Sequence, residues 1–254
     1  MDVGGYRLWM KVSGSGSPTV LFESGGGDNS AVWAAVEPEV RRRRRVTTVL
    51  YDRAGLGRSE RKPGPYRIDD EVAAVRAALT ACGVAGPLVL VAHSYGGFVS
   101  LRMAEEDRRV AGLVLVDANL PGFFDDAQVA RLLDRVKPML PEMARAAPKI
   151  GKVMVPLTLA LPRTARRMRS VAIPASLPIV DILAEKTWLP TPEEVAAMRR
   201  AHAAFVAASP YREMVFAKGS GHYVMRDRPK VVIESIGRLI DRLRPAVPRA
   251  GSRG

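Results

Sequence analysis

Only one cysteine, Cys82, occurs among the 254 residues, beside three histidines and three tryptophans. A lone thiol excludes an intrachain disulfide and fits a reducing compartment, so a cytoplasmic location is expected. Cys82 closes a helix-like stretch, "IDDEVAAVRAALTACG", where a buried structural thiol is the expected role. No apolar run is long enough to span a bilayer. The N-terminus "MDVGGYRLWMKVSG" lacks an apolar signal region, so no signal peptide is expected. Aromatic residues make up only 6% and do not interleave with the basic runs. That weighs against stacking on single-stranded nucleic acid, although the formal net charge is +13. The excess sits in "RRRRR" (41–45), "RTARRMR" (163–169) and the tail "RLRPAVPRAGSRG". A solvated basic surface is the expected reading, with no nucleic-acid partner and membrane contact not favoured.

What the chain does have is an ordinary globular composition, 47% hydrophobic, with mean hydropathy −0.01. Short apolar runs alternate with helix-like stretches, the pattern of a mostly parallel α/β sheet. Strands are expected at 6–12, 19–24, 46–52, 87–93, 111–117, 177–183 and 211–217. The middle ones are continuously apolar, as strands covered on both faces should be. Helices are expected around 69–82, 96–106, 192–208 and 229–243. Thr191, Pro192 and Glu194 form a capping-box start for the third of these. Residues 118–176 break the rhythm with seven prolines and no strand pattern. Val129, Leu132, Leu133 and Val136 repeat there at helical spacing, as do Ile150, Val153, Met154 and Leu157. The expected organisation is a core of 1–117 and 177–244, a helical cap of 118–176, and a disordered tail of 245–254.

Residues 92–97 read "AHSYGG", directly after the buried run "PLVLV" and before a helix. This strand–turn–helix context is what a nucleophile elbow requires, with Ala92, Gly96 and Gly97 as the small neighbours that the tight turn needs. Ser94 is therefore the candidate nucleophile, against the alternative of a turn or cap serine. A serine hydroxyl needs a base, and the base needs a partner that fixes its tautomer. His93 adjoins the serine and is expected to pack locally. His202 shares a helix face with Val195, Met198, Phe205 and Val206 and is expected to be a half-buried packing residue. His222 stands in "KGSGHYVMRDRP", a loop after the last strand, where an active-site base belongs.

Three carboxylates compete for the acid. Asp181 lies inside the strand "LPIVDIL" and Glu185 just past it, while Thr187 occupies the position where an aspartate is most usual. Asp117 ends "AGLVLVD" at the carboxyl edge of the strand next to the serine's, and the order Ser…Asp…His fits it. The remaining alternative is that Asp117 only caps the next segment. An oxyanion hole is available where "TVLFESGGGDNSAVW" puts three glycines after an early strand, Gly26 among them. Its partner is the N–H of Tyr95. The glycine run is not a phosphate loop, since no Gly-Lys-Ser/Thr follows.

Taken in order, "YDRAGLGRS" (51–59), "AHSYGG", "LVLVD" and "GSGHY" resemble the α/β-hydrolase family over nearly the whole chain outside 118–176. The resemblance implies an eight-stranded sheet with helices on both faces and a cap between strands six and seven. It matches Ser94 to the nucleophile, His222 to the base, and Gly26 and Tyr95 to the oxyanion-hole positions. Asp117 matches the acid of the minority of members that carry it after strand six. The chain departs from the pattern with Ala92 for the usual glycine, "SG" for "HG", and no acid after strand seven. Asp52 and Arg53 are expected to hold a loop beside the site. The activity expected is a cofactor-free and metal-free serine hydrolase cleaving an ester, thioester or lactone of a hydrophobic small molecule. Carbon–carbon bond hydrolysis, acyl transfer or perhydrolysis with the same triad are the alternatives, followed by a non-enzymatic ligand binder. The apolar faces of 118–176 are expected to line the substrate pocket. Arg163, Arg166, Arg167 and Arg169 are expected by default to face solvent, with an anionic substrate group or a membrane surface as the alternatives.

Overall fold

The computed structural model describes residues 1–244. The tail 245–254, expected to be disordered, lies outside the described residues. Seven strands appear, close to the seven apolar runs: β1 (Met10–Ser13), β2 (Thr19–Glu23), β3 (Thr47–Tyr51), β4 (Leu88–His93), β5 (Val110–Val116), β6 (Ile179–Ala184) and β7 (Arg212–Ala217). They form one sheet in the order β1-β3-β2-β4-β5-β6-β7, with β1 antiparallel and every other pairing parallel. The eight strands that the resemblance implied are thus seven among the described residues. Ahead of β1 the chain turns back at Gly4 and Gly5, both at positive φ, and leaves a single Asp2–Arg7 bridge. That turn shortens "YRLWMKV" to its second half, and Tyr6 and Leu8 pack against Ala74 and Ala78 instead.

Strand periodicity explains the two-sided core. On β4, Leu88, Leu90 and Ala92 face one cluster with Val72, Val75 and Phe98. Val89 and Val91 face the other, with Trp33, Ile236 and Leu239. The covering helices include α1 (Glu37–Arg44), α2 (Ile68–Ala81) and α3 (Gly96–Glu106). Helix α1 was not expected, because "EPEVRRRR" has almost no apolar residue to give a period. It is held by charge: Arg41 reaches Glu37 at 3.0 Å, Arg42 and Arg43 reach Glu39 at 2.9 Å, and Arg44 reaches Asp241 at 2.8 Å. Arg41, Arg42, Arg43 and Arg44 are therefore paired, and Arg45, the C-cap, is the member of the run without an ion pair among the described residues. Cys82 caps α2 and is half-buried rather than fully buried.

Between β5 and β6 the chain leaves the sheet as α4 (Asp126–Val136), α5 (Leu140–Ala146), α6 (Pro148–Leu159) and α7 (Leu161–Arg169). Asp125 caps α4 by accepting from the Gln128 N–H at 2.7 Å, and prolines open α5, α6 and α7. Pro141, Pro148 and Pro162 thus mark helix starts, whereas Pro156 lies inside α6 and Pro174 in the return to β6. The arginines of α7 do not simply face solvent. Arg167 pairs with Glu105 of α3 at 2.8 Å, Arg169 bonds Asp126 at 2.9 Å, and Arg163 donates to the Tyr66 carbonyl. Arg166 alone of the four has no such bond among the described residues.

The chain returns through α8 (Pro192–Ala207), α9 (Val224–Asp227) and α10 (Pro229–Leu243). Thr191 caps α8 by accepting from Glu194 N–H at 3.2 Å, but the capping box is not closed. The Glu194 carboxylate turns instead to Gln128 (2.8 Å) and Arg135 (3.1 Å) of α4, tying the returning chain to the inserted helices. Among the described residues no helix is long and apolar enough to cross a membrane.

Candidate active site

The β4–α3 junction turns within two residues, and Ser94 carries the strain with φ at +53°. A non-glycine residue held in the left-handed region needs its surroundings to impose it. The fit around it is tight. A Cβ on Gly96 would meet Glu23 Cγ at 2.7 Å and the Ser24 carbonyl at 2.8 Å, while one on Gly97 would meet Ala118 Cβ at 2.7 Å. The Ser94 carbonyl accepts from the N–H groups of Gly97 (2.9 Å) and Asn119 (2.8 Å), which locks the elbow to both following elements.

Asp117 follows β5 at the same edge, fully buried, with φ at +43°. Its Oδ1 accepts from Ala184 N–H at 3.2 Å; its Oδ2 accepts from Thr187 Oγ1 at 3.1 Å and from His222 Nδ1 at 2.6 Å. A carboxylate with three donors is well satisfied despite its burial. With Nδ1 engaged, His222 has Nε2 left for the cavity that the ring borders. His222 is also supported from below. His93 Nε2 donates to the His222 carbonyl at 3.1 Å, and the two rings lie 4.5 Å apart. Burial, with the neighbouring His222, pushes His93 down to about 3, so it stays neutral.

The other candidates lie elsewhere. Asp181 sits inside β6 and bonds His202 Nδ1 at 2.7 Å, and both side chains are sealed from solvent. His202 is thus fully buried on an acid, not half-buried on apolar neighbours. Glu185 accepts from the Gly219 N–H and does not reach His222. Thr187, at the position usual for the acid, is a partner of Asp117 that the sequence reading missed. The signal was the position itself, which was read as empty of an acid and not as a hydrogen-bond donor.

Ser94, Tyr95, Gly26 and His222 border one cavity of about 280 Å³. Leu132, Leu133, Val136, Met154, Leu157 and Leu161 from the inserted helices form its apolar wall. Val129 and Val153, expected among them, are turned into other packing. Gly26 and Tyr95 approach closely: a Cβ on Gly26 would stand 3.7 Å from Tyr95 Cβ. Tyr95 is the N-cap of α3, so its N–H has no acceptor within the helix. Behind them, Asp52 accepts from Ser30 Oγ at 2.7 Å and from the Arg58 N–H at 2.9 Å, fastening the "YDRAGLGRS" loop.

A parallel sheet with a strained serine after a central strand, and histidine and aspartate brought to the same edge, defines the α/β-hydrolase architecture. The chain belongs to the alpha/beta hydrolase family, whose model matches residues 20–235, and it is therefore a hydrolase by family. An uncharacterized protein of Mycobacterium tuberculosis is 26% identical over 96% of this chain and 81% of its own length. Among solved structures, a thermophilic esterase from Thermogutta terrifontis superposes with TM-score 0.64 at 22% identity, covering 94% of this chain and 95% of that one. The enol-lactonase from Burkholderia xenovorans gives TM-score 0.64 at 17% identity, covering 94% and 98%. At these identities the two structures speak for the fold alone.

Proposed function

We propose that this protein is a serine hydrolase that cleaves an ester, thioester or lactone with a hydrophobic acyl group through an acyl-enzyme. The observation that carries this reading is one apolar cavity bordered by a strained serine and by a histidine whose other nitrogen is held by a buried aspartate. Ser94 Oγ attacks the carbonyl carbon while His222 Nε2 takes its proton. Asp117 keeps His222 in the tautomer with hydrogen on Nδ1 and stabilises the imidazolium that forms. The N–H groups of Gly26 and Tyr95 receive the developing oxyanion. Collapse expels the alcohol or thiol, which takes the proton from His222. Water activated by the same nitrogen then releases the acid and restores Ser94. The neighbours named as an esterase and an enol-lactonase share the fold, which is therefore one that accommodates this substrate class.

The test is hydrolysis of p-nitrophenyl esters from acetate to hexanoate, with Ser94→Ala as control. We expect kcat/KM to rise with chain length, by up to about 0.8 kcal/mol per methylene buried in the transition state. Ser94→Ala should fall to background, about 10⁶-fold in kcat, with an unchanged melting temperature. A steady fall from acetate to hexanoate would remove the apolar acyl pocket from the reading. A wild type that neither turns over these esters nor reacts with a fluorophosphonate at Ser94 would remove the serine-hydrolase reading itself.

A further inference from the structure

The three consecutive glycines that supply one oxyanion donor raise a physical difficulty. Without side chains, Gly25, Gly26 and Gly27 have nothing of their own to hold a peptide plane against rotation. Yet a donor stabilises a transition state only if it is already aimed before the charge appears. Something outside the loop has to fix it.

Arg53 is in position to do so. It follows β3, is 2% exposed, and its Nη1 donates to the Gly25 carbonyl at 3.2 Å. The other side of its guanidinium is forked onto Glu71 of α2, with Nε to Oε1 at 2.5 Å and Nη2 to Oε2 at 2.8 Å. Besides Arg53, the Gly25 carbonyl accepts only a longer turn bond from the Asp28 N–H, at 3.3 Å, among the described residues. The carbonyl of Gly25 and the N–H of Gly26 belong to one planar trans peptide, so they point in opposite directions. Holding the carbonyl toward Arg53 aims the Gly26 N–H away from it. Gly26 borders the cavity shared with Ser94 and makes no backbone bond through that N–H among the described residues. A charged donor on the carbonyl also polarises the peptide and strengthens its N–H.

The same ion pair reaches the second donor's residue. The guanidinium lies 4.9 Å from the centre of the Tyr95 ring. The Tyr95 hydroxyl donates to Tyr66 Oη at 2.7 Å, and Tyr66 donates to Glu71 Oε2 at 2.5 Å. We propose that Arg53, braced by Glu71, is a positioning residue for the oxyanion hole, fixing the Gly25–Gly26 peptide so that the Gly26 N–H is aimed at the reacting oxygen. This rests on the acyl-transfer reading above.

Arg53→Lys keeps the charge but loses the planar fork, so it cannot serve Glu71 and Gly25 together. A double variant, Arg53→Met with Glu71→Gln, removes both members of the pair, leaving Glu23, buried 4.0 Å from Arg53 Nε, as the one nearby carboxyl that loses a cation, and covers the case in which the lysine variant fails to fold. Three readouts are needed on folded protein: kcat and KM for p-nitrophenyl butyrate, Ki for a butyl trifluoromethyl ketone, and Ki for 1-butanol. The ketone forms an adduct on serine and puts an oxyanion in the hole, whereas butanol, measured by competition with the ketone in the absence of ester so that there is no acyl-enzyme to attack, only fills the cavity. We expect kcat to fall roughly 10- to 100-fold with KM within about two-fold. Affinity for the trifluoromethyl ketone should fall in step, and affinity for butanol should not change. A folded variant with wild-type kcat overturns the proposal, and so does a parallel loss of butanol affinity, which would mark a merely structural role. Fluorophosphonate labelling of the wild type separates the two levels. Labelling at Ser94 with undiminished variants overturns only the positioning role, and no labelling overturns the function reading and this inference together.

Discussion

Two aspartate–histidine pairs stand on neighbouring strands of this sheet with nearly the same hydrogen bond. Asp117 meets His222 Nδ1 at 2.6 Å and Asp181 meets His202 Nδ1 at 2.7 Å. Both aspartates are fully buried, but the backbone around them and the exposure of their histidines differ. Asp117 lies past the end of β5 in a strained conformation, and its histidine hangs on a loop beside a cavity. Asp181 is in mid-strand opposite Leu115 and Met214, and its histidine is locked into α8. His202 Nε2 has no partner among the described residues, and the residue is sealed from solvent. An Asp–His hydrogen bond is therefore not a catalytic signature in itself. What distinguishes the first pair is the access of the second ring nitrogen to a cavity that also holds a serine.

The strongest way to break this comparison is to remove each acid in turn. Asp117→Asn should cost about 10⁴ in kcat, because an amide cannot hold His222 in the tautomer that the reaction needs. Asp181→Asn should leave kcat within a few-fold. Steady-state kinetics on the two purified variants decides it, and a reversed order would transfer the catalytic role to the buried pair.

The buried pair should show itself in stability instead. Removing one partner leaves the other desolvated and uncompensated, at a cost of about 3–5 kcal/mol. For a chain of this size that is a drop in Tm of roughly 6–20 °C, measurable by scanning calorimetry on His202→Ala. His202→Ala should nevertheless retain most of its turnover per folded molecule.

The third histidine refines the contrast through pH. His93 stays neutral in the folded state down to about 3, but in the unfolded chain it binds a proton near 6.5. Between those values the unfolded state holds more protons, so stability present above pH 6.5 is lost as pH falls toward 3. At pH 5 the loss attributable to His93 is about 2 kcal/mol relative to neutral pH. Urea unfolding of wild type and His93→Gln at both pH values should show the variant losing less by that amount. Equal losses would mean that the buried ring is not held neutral.

How much of this was readable beforehand depends on the range of each interaction. Ser94 was legible because an elbow is local: the strand, the small residues and the helix start lie within a dozen positions. His222 was legible by its loop, and Asp117 by its strand end and chain order. The Asp181–His202 bond was not, because it joins a strand to a helix 21 residues on and the helix pattern showed only an apolar face. Helix α1 was invisible to periodicity because salt bridges, one of them to Asp241, organise it. The N-terminal strand was overextended because alternation continued through Tyr6 and Leu8, which pack on α2 without strand pairing. The Arg53–Glu71–Tyr66 assembly was equally hidden, although Arg53 was assigned to holding a loop.

The smallest expected effect concerns the residue that supports Asp117 from the position where an acid is usual. Thr187 Oγ1 donates to Oδ2 of Asp117 at 3.1 Å, the same oxygen that His222 uses. Ala184 N–H holds the other oxygen, so the carboxylate plane is fixed from both ends. Thr187→Val keeps the shape and deletes only the hydroxyl, which removes about 1 kcal/mol of hydrogen bonding. If that bond orients Asp117 for its histidine, kcat should fall about five-fold with little change in KM. Thr187→Ser retains the donor and should restore activity to near the wild-type level. A neutral Thr187→Val would mean that Ala184 alone orients the acid. A drop that serine does not rescue would point to the packing of the threonine methyl group, since serine keeps the hydroxyl with its contacts to Asp117 and, at 3.4 Å, to the Met198 sulfur. The serine rescue therefore separates a hydrogen bond that serves the open pair from packing of the threonine methyl group.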